Sequence, residues 1–359
     1  MPVTRFVLLL ATSLSAVFTV TALMITLTAP GIDDGLRVII QDGDGAAALY
    51  QLDDGEMTQV TPLDIGDDGY IEYNSTLAWS PNGETLLFQA VRAFDLGEIW
   101  VVDPATGEQH PLIRSRTVNM HVSWSADSQR IVVDNDRSSY IQPVDGGQSL
   151  LLDSRVLGAD VVAVRHAMWS PVEPDLMAAV LLRGDGQARL ALLEIGETVT
   201  VQRVLMSGYA VIDQLQWTPD GRSLMYRLTA APYDSYVTSR YHMMDLLTET
   251  SRKLTEQPIE PARMTWSPDG RRLAVIEAGR QGAGLYILDM ATDTIDAVYE
   301  PGDAGMFQHL AWSADGEVLI MGRDENATCG VSLLDVRRSI QVQPFPPDLG
   351  PCQVFATWW

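Results

Sequence analysis

The chain has 359 residues, of which 46% are hydrophobic and 20% are charged, a composition typical of a globular protein with a full hydrophobic core. Its formal net charge of −23 argues against a nucleic-acid partner, because phosphate binding needs clustered lysine and arginine. The only two cysteines, Cys329 and Cys352, allow one disulfide and no zinc site.

The chain begins with a long apolar run that contains no ionisable group, from Phe6 to Leu27. As a helix, a run of this length would cross the core of a bilayer. A cleaved signal peptide has a shorter apolar region that ends in small residues, and Pro30 directly after Ala29 disfavours cleavage there. We therefore expect residues 1–29 to form one transmembrane or signal-anchor helix, with a cleaved signal peptide and a buried helix as the alternatives.

Charges on either side of this run predict the orientation of the chain. Arg5 precedes the run, whereas Asp33 and Asp34 follow it in a short linker, residues 30–35. Because positive charge is retained on the cytoplasmic side, we expect a single-pass protein of the cell membrane, held through residues 6–27, with its remainder on the extracytoplasmic side. A cleaved signal would instead give a secreted or periplasmic protein.

After the linker, one pattern recurs through the chain: alternating apolar residues up to a tryptophan, then Ser-Pro-Asp-Gly or a variant, then a second alternating run. The proline presets the turn and the glycine takes its left-handed position, so each copy predicts strand, tight turn, strand. Successive copies are 45 to 49 residues apart, which is the period expected for a four-stranded propeller blade. The six tryptophans are Trp79, Trp124, Trp169, Trp217, Trp266 and Trp312.

A second series of residues marks the end of the third strand of each blade with an acid. These acids are Asp53, Asp103, Asp145, Glu194, Asp245, Asp289 and Asp335. Asp53 lies upstream of the first tryptophan, so the segment around it supplies three strands of a blade that lacks its first strand. Trp358 is in phase with the tryptophan series and would supply that strand. The pattern predicts an all-β, seven-bladed β-propeller over residues 36–359, closed by N-terminal strands and one C-terminal strand.

These motifs resemble the TolB-type, WD40-like β-propeller repeat, whose signature is a Trp-Ser-Pro-Asp-Gly turn. Residues Trp266–Gly270 match it fully, and the resemblance covers nearly all of the chain after residue 35. It implies the fold but not the function, since propellers serve as scaffolds, sensors, lyases and oxidoreductases. Lyases of pectin fragments with related repeats bind a metal through His and Gln. Their motif cannot be matched residue by residue here, so no metal ligand is assigned.

The residue three positions before each tryptophan should lie at the mouth of the central channel. Three of the five histidines of the chain fall in this phase. Such a ring could bind an anionic or carbohydrate ligand; alternatively, histidine simply fits a crowded position between blades. A metal bound by all three histidines is not expected, because His309 would lie nearly across the ring. The positions are Thr76, His121, His166, Gln214, Arg263, His309 and Phe355, of which the five polar residues from His121 to His309 are candidate ligand-binding residues.

The acids of the repeats should collect on the side of the disc that carries the Trp-Ser-Pro-Asp-Gly turns. They suggest either turn-capping side chains or a site for calcium or a basic partner. Capping is favoured because Asx side chains bond to their own turns. No segment has the spacing of a calcium-binding loop.

Two further features are predicted on the opposite side of the disc. The segment Thr229–Tyr241 is the longest loop there, and its Tyr233 and Tyr236 are of the kind favoured at protein interfaces, although a loop packed on its neighbour is equally consistent. Cys329 and Cys352 also fall on this side, where they form either a disulfide or two free thiols.

The chain lacks the sequence motifs of serine hydrolases, P-loop proteins and HExxH metalloproteases. We therefore predict a non-enzymatic protein-binding or scaffold module without a cofactor, whose protein partner binds the loop side. The alternative is a carbohydrate-binding or lyase-like, glycan-active propeller with its ligand at the channel mouth.

Overall fold

A computed structural model describes most of the chain. The described residues are 6–11, 20–25, 36–42, 46–53, 56–65, 69–71, 77–92, 96–135, 138–229, 239–255, 261–279, 282–292, 294–299, 306–325, 328–336, 340–342 and 352–358. The predicted linker, residues 30–35, lies outside them.

Almost all of the described secondary structure is β. The N-terminal strands are β1 (Phe6–Ala11), β2 (Val20–Ile25), β3 (Leu36–Asp42), β4 (Ala47–Asp53) and β5 (Glu56–Leu63). Then come β6 (Leu77–Trp79), β7 (Leu86–Arg92), β8 (Leu96–Val102), β9 (Gln109–Ser115), β10 (Met120–Trp124), β11 (Arg130–Asn135), β12 (Ser139–Pro143) and β13 (Leu150–Leu152). A one-turn helix, α1 (Ser154–Leu157), precedes β14 (Val161–Trp169), β15 (Leu176–Arg183), β16 (Ala188–Ile195) and β17 (Val199–Gly208).

The remaining strands continue the same pattern. They are β18 (Val211–Trp217), β19 (Ser223–Thr229), β20 (Ser239–Asp245), β21 (Ser251–Lys253), β22 (Pro261–Trp266), β23 (Arg272–Gly279), β24 (Gly282–Asp289), β25 (Thr294–Tyr299), β26 (Met306–Trp312), β27 (Val318–Glu325), β28 (Thr328–Asp335), β29 (Ile340–Val342) and β30 (Cys352–Trp358).

Six antiparallel sheets are each built from four consecutive strands, and we number these blades one to six in chain order. Blade one is β6–β9, blade two β10–β13, blade three β14–β17, blade four β18–β21, blade five β22–β25 and blade six β26–β29. A further four-stranded sheet, the composite sheet, has the order β30-β3-β4-β5.

The predicted fold class is corrected by this arrangement. Six blades, rather than seven, consist of one continuous four-strand repeat, in line with the six internal tryptophan motifs. The composite sheet instead joins the two ends of the propeller, with Leu36 opposite Trp358 and Asp42 opposite Cys352. The C-terminal segment thus lies where the phase of Trp358 places it.

The predicted N-terminal transmembrane or signal helix is wrong. Residues Phe6–Ala11 and Val20–Ile25 form an antiparallel strand pair, with Phe6 opposite Ile25 and Ala11 opposite Val20. An uncharged apolar run does not by itself distinguish helix from strand, and Val, Thr, Ile and Phe in this run favour strands. Among the residues that the structure describes, no helix has the length and apolarity needed to span a bilayer.

The hydrophobic core lies between neighbouring blades. One buried cluster, for example, joins Val132 and Ile141 of blade two to Val164, Trp169 and Leu181 of blade three. Each sheet is therefore apolar on both faces, because it packs against a blade on either side. This requirement explains the apolar runs in the second and third strands.

Repeated polar contacts hold the motif tryptophans to the preceding blade. The indole Nε1 of a motif tryptophan donates to the backbone oxygen of the residue just before the tryptophan of the previous blade. These bonds are 3.2 Å from Trp124 to Ala78, 3.3 Å from Trp217 to Met168 and 3.0 Å from Trp312 to Thr265. Each repeat thus positions the next one around the ring.

We call the edge of the disc with the Trp-Ser-Pro-Asp-Gly turns the turn face. In these turns, the Ser or Thr hydroxyl donates to the Asp carboxylate two residues later, and a glycine such as Gly270, at φ +68°, takes the left-handed position. The bonds are 2.5 Å for Ser125–Asp127, 2.7 Å for Thr218–Asp220, 2.7 Å for Ser267–Asp269 and 2.6 Å for Ser313–Asp315. The opposite edge, where the first strand of each blade begins, is the loop face.

Candidate functional site

The first strands of blades two, three and four bring three of the predicted ligand-binding residues together. His121, His166 and Gln214 line one cavity of about 240 Å³ in the centre of the ring, which we call the channel neck. Each begins the inward-facing part of its strand, three positions before the tryptophan. The repeat phase therefore correctly predicts that these side chains meet.

Two of these residues have a strained backbone. His166 and Gln214 both have φ +52°, a left-handed conformation that non-glycine residues rarely adopt. Both lie in β-bulges, where the pairing register shifts between Arg165 and Met168 in blade three and between Asp213 and Gln216 in blade four. Strained residues at bulges often orient side chains in functional sites, so the two positions are stronger candidates than their sequence phase alone suggests.

A buried carboxylate supports the bulge of His166. Asp134, at the end of the second strand of blade two, is only 4% exposed. It accepts a 2.9 Å hydrogen bond from the Ser139 hydroxyl and a second bond from the backbone N–H of His166. The carboxylate thus ties blade two to the strained position of blade three.

Burial sets the protonation of this pair. Desolvation raises the pKa of Asp134, although the bonds from Ser139 and His166 oppose the increase. Desolvation lowers the pKa of His166, and the nearby carboxylates of Asp134 and Asp213 oppose that decrease. Because its pKa is lowered, the His166 imidazole is neutral at neutral pH and can accept or donate a hydrogen bond.

A larger cavity of about 440 Å³ opens beside the neck, and we call it the loop-face pocket. His121 and His166 line both spaces. Its polar wall consists of His121, Asp134, Asn135, Arg165 and His166. Its apolar wall includes Val180, Leu182, Val211 and Ile212, which belong to blades three and four. The pocket therefore presents both signs of charge beside an aliphatic surface.

Three exposed apolar side chains lie on the loop face of blades three and four, and two of them line this pocket. Val162 is 63% exposed, Tyr209 is 65% exposed and Val211 is 44% exposed. Tyr209 and Val211 line the pocket directly, and they lie where blade three connects to blade four. We call these three residues the loop-face rim.

An ion pair holds the neighbouring bulge in blade four. Arg227 donates from Nε to Asp213 Oδ1 at 2.6 Å and from Nη2 to Asp213 Oδ2 at 2.7 Å. Tyr241 is paired with Arg227 across the sheet, and burial raises the pKa of its hydroxyl. This two-pronged bond fixes the strand immediately before Gln214.

Of the other predicted site residues, only Arg263 has a described side chain, and it lies outside the pocket. Arg263 is half-buried on β22 and lines neither the neck nor the loop-face pocket. The backbone of His309 lies in β26 opposite Gly322, but its side chain is outside the described part of the chain. Tyr233 and Tyr236 are likewise outside the described residues. Their roles stay predictions.

The possible disulfide also stays a prediction. Cys329 lies in β28 opposite Asp324, and Cys352 begins β30 opposite Asp42. The side chains of both cysteines lie outside the described residues.

Sequence reasoning missed Asp134, Asn135 and Arg165, which line the loop-face pocket, and Asp213, which lines neither cavity but acts on His166 through its charge. Asp134 follows the apolar run Ile131–Val133, and this acid within a buried strand was a usable signal. Arg165 and Asp213 directly precede His166 and Gln214, and each lies at the start of a bulge. The bulges depend on cross-strand register and leave no mark in the repeat.

On the turn face, the predicted capping role of the acids agrees with the geometry. Asp289 accepts from the backbone N–H groups of Ala291 at 2.9 Å and Thr292 at 3.0 Å. Such bonds lower the pKa of Asp289, as equivalent bonds do for Asp103 and Asp245. Within the described residues, no group of three or more His, Cys, Asp or Glu side chains is arranged to hold a metal ion.

Comparison with known proteins supports the fold. No protein-family model matches the chain, and a search of curated proteins by sequence finds no match. Among solved structures, an oligogalacturonate lyase in complex with manganese has a TM-score of 0.57 at 16% identity, covering 87% of this chain and 85% of that one. The β-propeller domain of Cps50 (Swd1) from Myceliophteria thermophila has a TM-score of 0.51 at 17% identity, covering 75% and 85%.

TolB from Acinetobacter baumannii is also among the similar structures, with a TM-score of 0.49 at 14% identity, covering 89% of this chain and 82% of that one. The predicted resemblance to WD40-like β-propellers is confirmed as a likeness of fold by the structures with TM-scores above 0.5: the chain is an all-β propeller.

Proposed function

We propose that the protein is a non-enzymatic binding module that receives a protein partner on its loop face. The observation that carries this proposal is the loop-face rim: Val162, Tyr209 and Val211 expose apolar surface, and the last two line a cavity with a charged wall. Exposed apolar residues beside a polar, concave surface are typical of recognition sites. Tyrosine in particular supplies large contact area at interfaces.

Site-specific photocrosslinking tests this proposal. A photoreactive phenylalanine analogue at position 209 should yield a discrete adduct with one partner protein in the native cells. The matched control is position 247, because Leu247 is apolar and 91% exposed but lies on the turn face. An adduct from position 209 alone, lost when Val162 is changed to Asp, is expected. Equal adducts from both positions, or none from position 209, would contradict the proposal.

A glycan-active propeller is the second candidate. It is favoured by the convergence of His121, His166 and Gln214 on the channel neck, together with the fold shared with an oligogalacturonate lyase whose structure holds manganese. Incubation of the protein with oligogalacturonate and manganese, with absorbance of unsaturated products as the readout, tests it. Product formation that is lost in His166→Gln and kept in His110→Gln would favour this candidate over the scaffold.

The proposal also places the propeller outside the cytoplasm. Its support is the composition of the N-terminal run, in which Arg5 precedes an uncharged apolar stretch, Phe6–Leu27, as in an export signal. Protease treatment of intact cells or spheroplasts, followed by immunodetection of the propeller, tests the location. Protection of the propeller until the cytoplasm is opened would contradict it.

A further inference from the structure

The outermost strands of the sheets differ in how they are protected against contact with another chain. Proteins usually protect an exposed strand edge with proline, with charge or with a short length. Of the seven outer strands in the four-stranded sheets that the structure describes, β13, β21 and β29 have only 3 residues each. Proline interrupts β5 at Pro62 and β9 at Pro111, and β25 carries Asp296. Six of the seven outer strands therefore have one of these features.

The seventh, β17 of blade three, has none of them. It is 10 residues long, contains neither proline nor an acid, and has Arg203 as its only charged residue. Because the net charge of the chain is −23, a long outer strand without an acid is a surface that a second copy can approach with little repulsion. Two bulges bend β17, so we expect its side chains, rather than a long ladder of backbone bonds, to make the contact.

Two exposed valines of β17 lie on the side of blade three that faces blade two. Val201 lies opposite Leu193, and Val204 lies opposite Ala191. Both of these opposed residues belong to the buried cluster between blades two and three. Since directly opposed residues of antiparallel strands share a face, the two valines extend this cluster to the perimeter of the disc. They are 39% and 41% exposed there.

Blade two supplies the other side of this seam between the blades. Leu150 of β13 lies opposite Ile141 of the same cluster, and it is 38% exposed. The helix α1, which follows β13, contacts both β13 and β17, and its half-buried apolar residues pack against the cluster. We call the apolar residues of this perimeter the outer seam: Leu150, Val156, Leu157, Val201 and Val204.

The charged residues of α1 and β17 are paired within the protein. Arg155 donates from Nε to Asp153 Oδ2 at 2.8 Å. Arg203 lies on the opposite side of β17 from the two valines and pairs with Glu249 of blade four at 3.1 Å. The outer seam is thus an exposed apolar surface whose own elements add no net charge, and such surfaces mark interaction sites.

We infer that the outer seam joins two copies of this chain about a two-fold axis, independently of the partner proposed for the loop face. Each copy presents the same residues, so Val201 and Val204 of one copy pack against the outer seam of the other. A charged partner would find no unpaired charge on α1 or β17, whereas two-fold dimers of identical chains are the commonest assemblies of soluble proteins. The contact is smaller than a standard interface of about 20–30 residues a side, so the dimer is in equilibrium with the monomer.

Sedimentation equilibrium of the purified full chain tests the inference. We expect a monomer–dimer equilibrium with a Kd on the order of 10–100 μM, as for a small interface. Dimerisation should strengthen between about 50 mM and about 500 mM NaCl, because salt screens the repulsion between two acidic copies. A monomer at every concentration up to roughly 500 μM, or a dimer that dissociates in salt, would overturn the inference.

Two matched variants locate the contact. Val204→Asp places a charge in the outer seam of both copies and should weaken dimerisation at least about tenfold, since an unpaired charge is costly to bury. The control is Ile295→Asp, because Ile295 is 52% exposed on β25, the outer strand of blade five. This control should leave the Kd unchanged. An equal Kd in both variants would show that the copies meet elsewhere.

Photocrosslinking adds a measurement that does not depend on the folding of Val204→Asp. A photoreactive phenylalanine analogue at Gln202, an exposed residue of β17, should give an adduct of dimer mass. The crosslinked peptide should come from residues 150–157 or 199–208 of the second copy, and an adduct elsewhere, or none, would contradict the two-fold contact. The purified chain alone is used here, whereas position 209 is tested in cells. Failure of the dimer and failure of the protein-binding proposal are therefore distinguishable.

Discussion

The two faces of the disc are built from the same strands but differ in regularity. On the turn face, the bond from a serine or threonine to an aspartate recurs in blades two, four, five and six, and the tryptophan contact recurs in blades two, four and six. A cavity of about 530 Å³ at this end of the channel is lined mainly by motif residues, among them Trp169, Trp217 and Pro219. On the loop face, by contrast, neighbouring blades carry different polar residues, bulges and strained backbone.

This difference distinguishes the contacts that stabilise the ring, on the turn face, from the surface that is available for binding, on the loop face. The repeated serine–aspartate bonds and tryptophan contacts are made between groups of the protein itself. The loop face of blades two to four contains the buried Asp134, the strained His166 and Gln214, and an open pocket. Departures from local rules are expected at functional sites, where stability is given up for geometry. Turn-face variants should therefore affect stability, and loop-face variants should affect binding.

The largest effect is expected from removing the strand that joins the two ends. Deletion of residues 352–359 removes β30, which pairs with β3 from Leu36 to Asp42. The deletion exposes the backbone edge of β3 and the apolar surfaces beside it, so we expect loss of cooperative unfolding and aggregation. Circular dichroism and calorimetry measure this. A truncated protein that melts cooperatively at the temperature of the full chain would contradict it.

Trp169→Ala should be the most destabilising single substitution on the turn-face side. The indole is buried between blades two and three, and its loss leaves a cavity that costs about 3–5 kcal/mol of the free energy of unfolding. Urea denaturation provides the measurement. The control is Tyr209→Ala on the loop-face rim, which should change stability by no more than about 0.5 kcal/mol. Similar losses in both variants would remove the distinction between the faces.

An intermediate effect is expected at Arg130, which links blade two to blade three. Its guanidinium lies 4.7 Å from the ring centroid of Trp169 and donates to Pro174 O at 2.9 Å. Arg130→Met should cost about 1–2 kcal/mol, since a cation–π contact and a hydrogen bond are lost. Arg203→Met breaks only an exposed pair with Glu249 and should cost at most about 0.5 kcal/mol. Chemical denaturation measures the free energy of unfolding of both variants. Equal losses in the two would contradict a stabilising link from Arg130 to blade three.

The repeat predicts the turn face well because its contacts are local. A serine two residues before an aspartate bonds to it wherever the turn forms, and Trp358 could be placed by phase alone. The loop face could be predicted only in part: phase places His121, His166 and Gln214 in the channel, but not the bulges that strain two of them. Those bulges depend on pairing across strands. The N-terminal run was mistaken for a helix because its apolar residues lack a period that distinguishes helix from strand.

A smaller effect distinguishes strained from ordinary backbone in the channel neck. At Gln214, with φ +52°, glycine should be more stable than alanine by about 1 kcal/mol, because only alanine is strained there. At Gln216, two residues along β18, the order should reverse, with alanine better by about 0.5–1 kcal/mol. Denaturation midpoints of the four variants measure both differences. The same order at both positions would mean that the strain at Gln214 does not exist.

The smallest effect is a dependence of stability on pH through His166. Burial lowers its folded-state pKa below the ordinary 6.5, against the opposing influence of Asp134 and Asp213, while His121 and Arg165 reinforce the decrease. As pH falls below 6.5, the unfolded state therefore binds the proton first, and this contribution to stability decreases. The raised pKa of Asp134 acts with the opposite sign: as pH falls through that raised value, the folded state binds the proton first and stability increases. Glutamine does not titrate at position 166. As pH falls from about 7.5 to about 5.5, the free energy of unfolding of His166→Gln should therefore rise relative to that of the unchanged protein, as measured by urea denaturation. As a control, both proteins are also measured with Asp134→Asn, which removes the opposing carboxyl. If the stability difference between them does not change with pH in either background, burial does not lower the pKa of His166.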